Sequence, residues 1–162
     1  DTFSVSFNEI VTFSGSAVSA FALDKVGGGS VTLAGATVDN TGGFTKVNFT
    51  MSPGTYYVNG SLVDGRYQIT ALASKITDST GLALDGNDNG IVGDNFVNVS
   101  SGTYGVFRLF GDADGNTQVD PNDFLQFRLS FLSANPIFDY DASGQVDSTD
   151  FLAFRLRFLQ VV

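Results

Sequence analysis

The chain has 162 residues, 43% of them apolar and 15% charged, with a formal net charge of −9 and neither His nor Cys. That length supports a buried core in one or two domains. No window nears the ~20 apolar residues of a membrane-spanning helix, the negative charge argues against a nucleic-acid partner, and the missing His and Cys remove the usual nucleophile–base pairs, common zinc sites and disulfides.

Residues 1–106 read as β. Thr2-Phe3-Ser4-Val5-Ser6-Phe7-Asn8 alternates polar and apolar side chains, as a half-buried strand does. Further strands are predicted over 20–26, 31–38, 45–51, 55–58, 66–73 and 95–100, separated by turn signals such as Gly27-Gly28-Gly29, Ser52-Pro53-Gly54, Asn59-Gly60 and Asp64-Gly65. Short strands at this spacing predict an antiparallel sandwich.

Near the end of this region, Asp85, Asn87 and Asn89 place side-chain oxygens at the first, third and fifth positions of a cation loop, with Gly90 at the sixth. Ile91 would offer its carbonyl at the seventh. Phe96 occupies the twelfth position, where a carboxylate belongs, and Asp94 is the substitute. A third calcium site and a plain Asx-rich turn are both open readings.

Residues 106–111 form a hinge or docking strand, and an internal repeat follows. Residues 112–132 align with residues 139–159 at an offset of 27. Within it, Phe124-Leu125-Gln126-Phe127-Arg128-Leu129-Ser130-Phe131-Leu132 and Phe151-Leu152-Ala153-Phe154-Arg155-Leu156-Arg157-Phe158-Leu159 are identical at seven of nine positions. Duplication is the economical explanation.

Each repeat opens with a twelve-residue acidic loop. Sixteen of the seventeen acids in the chain are Asp, and eight of those lie between Asp112 and Asp150. Asp112, Asp114, Asn116 and Asp123 occupy the first, third, fifth and twelfth positions of one loop, and Asp139, Asp141, Ser143 and Asp150 those of the other. Gln118 and Gln145 hold the seventh position, where the backbone carbonyl ligates. This oxygen-only set at this spacing predicts two Ca²⁺ sites. Val119 and Val146, at the eighth position, are expected to form a short β bridge between the loops. Gly144 suits the sharp turn at the sixth position, whereas Thr117 does not, so the first loop is expected to be distorted or weaker. Asp123 and Asp150 fall in the first turn of a following helix, which suits a carboxylate. Residues 107–162 carry eight Asp and four Arg, a net of −4 that two Ca²⁺ would cancel.

On a helical wheel, Phe124, Phe127 and Phe131 lie beside Leu125, Leu129 and Leu132, and the second repeat does the same. This apolar arc spans roughly 200°, about twice that of a simple surface helix. Part of it is expected to join the two helices, and the remainder to bury against the β region or another chain. Arg128 and Arg155 sit within the arc, where Arg pairs with an acceptor, stacks on Phe or snorkels.

The duplicated loop and helix resemble the type I dockerin module over residues 107–162. The resemblance implies two antiparallel calcium loop–helix units that dock onto a cohesin-like protein partner. In that family the tenth and eleventh loop positions contact the partner. Here they are Pro121-Asn122 and Ser148-Thr149; the second pair follows the family pattern and the first departs from it. Residues 5–11, 64–70 and 76–85 resemble bacterial immunoglobulin-like domains of surface-layer and adhesion proteins, which implies an Ig-like β-sandwich over residues 1–106.

The expectation is therefore a mainly β chain ending in a small helical calcium module. Its expected role is non-catalytic: docking to a protein partner, or self-assembly as a structural subunit. A chain that begins at Asp1 with no hydrophobic leader is expected to be a mature extracellular piece. An enzyme with paired catalytic carboxylates is disfavoured, because loops claim most of the Asp residues and Glu9 is the single Glu.

Overall fold

The computed structural model describes residues 3–98 and 105–162. Their elements, in chain order, are β1 (Phe3–Ser6), β2 (Val11–Phe13), β3 (Phe21–Lys25), β4 (Ser30–Val31), β5 (Leu33–Asp39), β6 (Lys46–Met51), β7 (Tyr57–Val58), β8 (Ser61–Leu62), β9 (Gly65–Ala71), β10 (Ile76–Asp78), β11 (Phe96–Val97), β12 (Val106–Arg108), α1 (Pro121–Ser130) and α2 (Ser148–Arg155). All the strand pairs are antiparallel, so the chain is mainly β with antiparallel sheets.

Period-two patterning decides which side chains reach the first core. In β6, Val47, Phe49 and Met51 are buried, and in β9 so are Tyr67, Ile69 and Ala71. Strand β6 lies between β1 and β5, with Phe3 opposite Phe49 and Val5 opposite Val47. Strand β9 pairs with β3, placing Phe21 opposite Ala71 and Leu23 opposite Ile69. Residues of both sheets enter one core, and the Phe21 and Phe49 rings meet edge to face with centroids 4.9 Å apart.

The sequence reading places most of these strands and misses others. Predicted strand 31–38 is broken: β4 pairs with β3 while β5 pairs with β6, so the chain changes sheets at Thr32. Strands β2 and β10 pair with each other and were not anticipated, because three residues are too few to display a period. The predicted strand 95–100 appears as Phe96–Val97, and its last two residues lie outside the described ones. Of residues 106–111, read as a hinge or docking strand, 106–108 form β12, which pairs with β9 from Val106↔Tyr67 to Arg108↔Gly65.

A second core follows, built from Leu109, Phe110, Val119, Phe127, Phe138, Val146, Ala153 and Phe154. Phe127 and Phe154 occupy corresponding places in the repeat and meet at 4.9 Å between centroids. Burial of each ring contributes roughly 2–3 kcal/mol. Both helices start three residues earlier than the wheel placed them. Pro121 takes the first helical position, where its fixed φ and missing N–H carry no cost.

Of the two covers expected for the remaining helical arc, the β region or another chain, the β region does not bury its leucines. Leu125, Leu129, Leu132, Leu152, Leu156 and Leu159 are all exposed, Leu129 to 87% and Leu156 to 71%. The helices end before Leu132 and Leu159, so the arc read from a continuous wheel is divided between helix and turn.

Candidate metal centres

The two acidic loops fold alike. In the first, Asp112 Oδ1 accepts the amides of Gly115 (2.8 Å) and Asn116 (3.1 Å), and Oδ2 accepts that of Thr117 (2.8 Å). Asp114 accepts from Asn116 N–H at 3.1 Å, and Asn116 Oδ1 from Gln118 N–H at 2.8 Å. In the second, Asp139 Oδ1 accepts from Ser143 (3.0 Å) and Oδ2 from Gly144 (2.8 Å), while Asp141 accepts from Ser143 (3.0 Å). The Ser143 hydroxyl lies 3.1 Å from the Gln145 carbonyl oxygen, so two predicted donor atoms adjoin.

Of the expected distortion or weakening of the first loop, the backbone shows no departure from the second loop's form at Thr117. Thr117 adopts φ 77° and Gly144 φ 90°, and the same amide pattern surrounds both. Side chain–backbone hydrogen bonds throughout the loop outweigh the left-handed cost of one residue.

Asp123 and Asp150 close the loops and are fully buried. Asp123 accepts from Ala113 N–H (2.9 Å) through Oδ1 and from Asp120 N–H (2.8 Å) through Oδ2. Asp150 accepts from Tyr140 and Asp147 in the same way, both at 2.7 Å. Each therefore joins the second loop residue to the start of the helix. The ninth-position acids serve as helix caps: Asp120 accepts the amide of Asn122, and Asp147 that of Thr149, both at 2.7 Å. Sequence reasoning missed this capping role, which the Asp-x-x-Asp spacing before each apolar run encodes.

The predicted bridge between Val119 and Val146 is not formed. Val119 instead pairs with the chain leaving α2: its N–H donates to Gln160 O (3.0 Å), and its carbonyl accepts from Leu159 N–H (2.7 Å). Val146 pairs with the chain leaving α1, donating to Ser133 O and accepting from Leu132 N–H, both at 2.8 Å. Each loop is thus clamped by the exit of the other unit's helix. Leu132 (φ 65°) and Leu159 (φ 66°) make the left-handed turns that allow this.

Ligand atoms of Asp112, Asp114 and Asp123 lie within 4.8 Å of one another, as do those of Asp139, Asp141 and Asp150. Burial pushes the Asp112 carboxyl above its usual range and the charge of Asp123 adds to this, against the lowering effect of the Thr117, Gly115 and Asn116 amides. Three converging carboxylates, one fully buried, form a strongly negative cradle. With amide or hydroxyl and carbonyl oxygens and no nitrogen or sulfur donor, it fits a hard divalent cation. Either cluster can hold a metal ion.

The loop at residues 85–96 shares the backbone pattern. Asp85 accepts from Asn89 (3.2 Å) and Gly90 (2.7 Å), Asn87 from Asn89 (3.1 Å), and Asn89 from Ile91 (2.7 Å). Asp94 Oδ2 accepts from the side-chain amides of Asn87 (3.1 Å) and Asn89 (3.3 Å). Phe96 is exposed and no buried carboxylate closes this loop, so it is the least charged of the three cradles.

The residues expected to meet a partner, Pro121, Asn122, Ser148 and Thr149, are exposed in the first turns of α1 and α2. Arg128 is exposed with its guanidinium 6.0 Å from the centroid of the Phe124 ring, and Arg155 is exposed. No family model, curated protein or solved structure matches this chain.

Proposed function

We propose that this chain is a non-catalytic, calcium-binding extracellular module whose C-terminal repeat is set by two Ca²⁺ ions and docks onto a protein partner. One observation carries the reading: two loops of the same hydrogen-bonded form each gather three carboxylates within 4.8 Å, one of them fully buried. Ca²⁺ would be held by Asp112, Asp114, Asn116, Gln118 and Asp123, and by Asp139, Asp141, Ser143, Gln145 and Asp150. The ion supplies charge neutralisation, without which the carboxylates repel and loosen the helix pair. The dockerin-like and Ig-like readings of the two regions belong to this proposal, and the repeat, the loop geometry and the shared β core support them.

Docking is supported by the exposed leucines in and after the two helices, large apolar side chains left in solvent beside the exposed Arg128 and Arg155. A second reading, self-assembly, is favoured by the same exposed leucines, since one apolar patch on each of two copies suffices for a symmetric pair. Isothermal titration of the chelator-treated chain is expected to give two Ca²⁺ per chain and a higher melting temperature in calcium. No binding heat and identical melts in calcium and EDTA would remove the proposal. Sedimentation with and without calcium separates the readings: a persistent monomer eliminates self-assembly.

A further inference from the structure

Asp64, between β8 and β9, reaches out of the β region. Its Oδ1 accepts the amide of Phe110 at 2.7 Å, and its Oδ2 accepts from Nε of Arg157. Both partners belong to the frame of the cation loops. Phe110 lies two residues before Asp112, the first residue of the first loop. Arg157 follows α2, donates from Nη1 to Ala153 O at 2.8 Å, and holds its guanidinium 4.8 Å from the Tyr140 ring centroid. Tyr140 is the second residue of the other loop, and its amide is bound by the closing carboxylate of Asp150. The Phe110 and Tyr140 rings meet edge to face at 4.9 Å. One carboxylate therefore holds both the entry to the first loop and the exit of the helix behind the second.

Two further contacts follow the same route. Arg66 in β9 donates to Val162 O at 2.6 Å, and Val162 N–H donates to Thr117 O in the first loop at 3.0 Å. The Asn59 side-chain amide lies 3.4 Å from Tyr140 O. A cleft of about 430 Å³ beside these contacts is lined by Asp64, Arg108 and Arg157 together with Asp112 and Asp139, the first carboxylates of both loops. The first carboxylates of both ion sites thus line the same cleft as the residues of the seam.

We propose that Asp64 is a latch through which ion occupancy of the two loops fixes the β region against the C-terminal repeat. This rests on the calcium reading above. In an empty loop three carboxylates repel. The residues displaced by loosening are those beside them, Phe110 and Tyr140, and Arg157 then loses the ring that positions it on Asp64. Filling the loops reverses this. Linkage requires the effect to be mutual: whatever factor the ions add to the latch, the latch adds to ion affinity.

Hydrogen exchange on the intact chain, combined with calcium titration, tests this. In the wild type, amides of residues 57–66 are expected to be protected in calcium and to exchange faster in EDTA. Asp64→Ala is expected to weaken calcium binding about five-fold or more and to abolish the calcium response of residues 57–66. Arg157→Gln is expected to do the same, and serves where Asp64→Ala does not fold. Unchanged calcium affinity in a folded variant would overturn the latch. So would a wild-type chain in which residues 112–123 respond to calcium and residues 57–66 do not; either result leaves the calcium reading intact. Absence of any calcium binding by the wild type would remove both.

Discussion

Thr117 in the first acidic loop and Ala142 in the second divide one conformational burden between them. Both loops turn through the left-handed region at their fourth and sixth positions. The first uses Gly115 (φ 76°) and Thr117 (φ 77°), and the second Ala142 (φ 58°) and Gly144 (φ 90°). Each loop therefore carries one residue suited to this backbone and one that is not. Thr117→Gly and Ala142→Gly are each expected to stabilise the chain by roughly 0.5–1 kcal/mol, the left-handed cost less the added entropy of glycine. Denaturant unfolding in EDTA checks this, and a loss of stability in both variants would refute it.

The acidic ligands divide into two kinds under mutation. Asp114 is exposed and accepts one backbone amide in its loop, whereas Asp123 is buried and joins the amides of Ala113 and Asp120. Asp114→Ala is expected to lower the melting temperature in calcium and to change stability in EDTA by less than about 0.5 kcal/mol. Asp123→Ala empties a buried position, leaves two half-buried N–H donors without their acceptor, and is expected to cost roughly 2–4 kcal/mol in both buffers. Equal effects of Asp114→Ala in the two buffers would contradict a metal role for that side chain.

Tyr67 gives the β region an alkaline limit. It is fully buried, its hydroxyl donates to Val63 O at 2.6 Å, and burial, followed by the charge of Asp64, pushes its pKa up to about 12 from an ordinary 10.0. The folded chain holds the phenolic proton more tightly than the unfolded chain does. Its contribution is fully present below pH 10 and is lost as pH rises toward about 12. At about 1.4 kcal/mol per unit, the loss is of order 2–3 kcal/mol. Unfolding midpoints should fall across that window, and Tyr67→Phe should flatten the fall.

Gly111 lies where the chain entering the repeat passes closely against Phe154 of the second helix. Its φ is 98°, and a Cβ there would lie 2.9 Å from Phe154 Cδ2 and 3.2 Å from Val119 Cγ1. Gly111→Ala is expected to cost about 2 kcal/mol or more, combining backbone strain with overpacking. A melting temperature equal to wild type would show that the helix shifts freely, contrary to the close packing around Phe154.

The leucine surface separates binding from folding. Leu129 and Leu156 are 87% and 71% exposed, so Leu129→Asp and Leu156→Asp are expected to change monomer stability by no more than about 0.5 kcal/mol. The same variants are expected to abolish docking or self-association through that face. Large destabilisation in dilute monomer would show that the leucines support the fold itself.

Some of this architecture is legible in the residues alone. The alternation around Val47 and Phe49 announces an inward strand face, because side-chain direction in a strand repeats every two residues. The loop carboxylates are legible too, since an oxygen cage closed by one short segment requires donors at set spacings. Strands β2 and β10 were not legible, because each exists only through the other. Nor were the exits of the two helices. The sequence around Leu132 and Leu159 continues a helical pattern, yet both residues turn left-handed to meet Val146 and Val119.

A mainly β chain, a duplicated acidic loop and helix, and the three carboxylates that converge in each C-terminal loop can thus be read from the residues alone. Those features are local: periodicity, capping and spacing act within about a dozen residues. Tertiary structure alone decided that the loops are clamped crosswise, that the leucines face outward, and that Asp64 meets Arg157 across the seam. These depend on pairings between residues far apart in the chain, whose free energy no local pattern records.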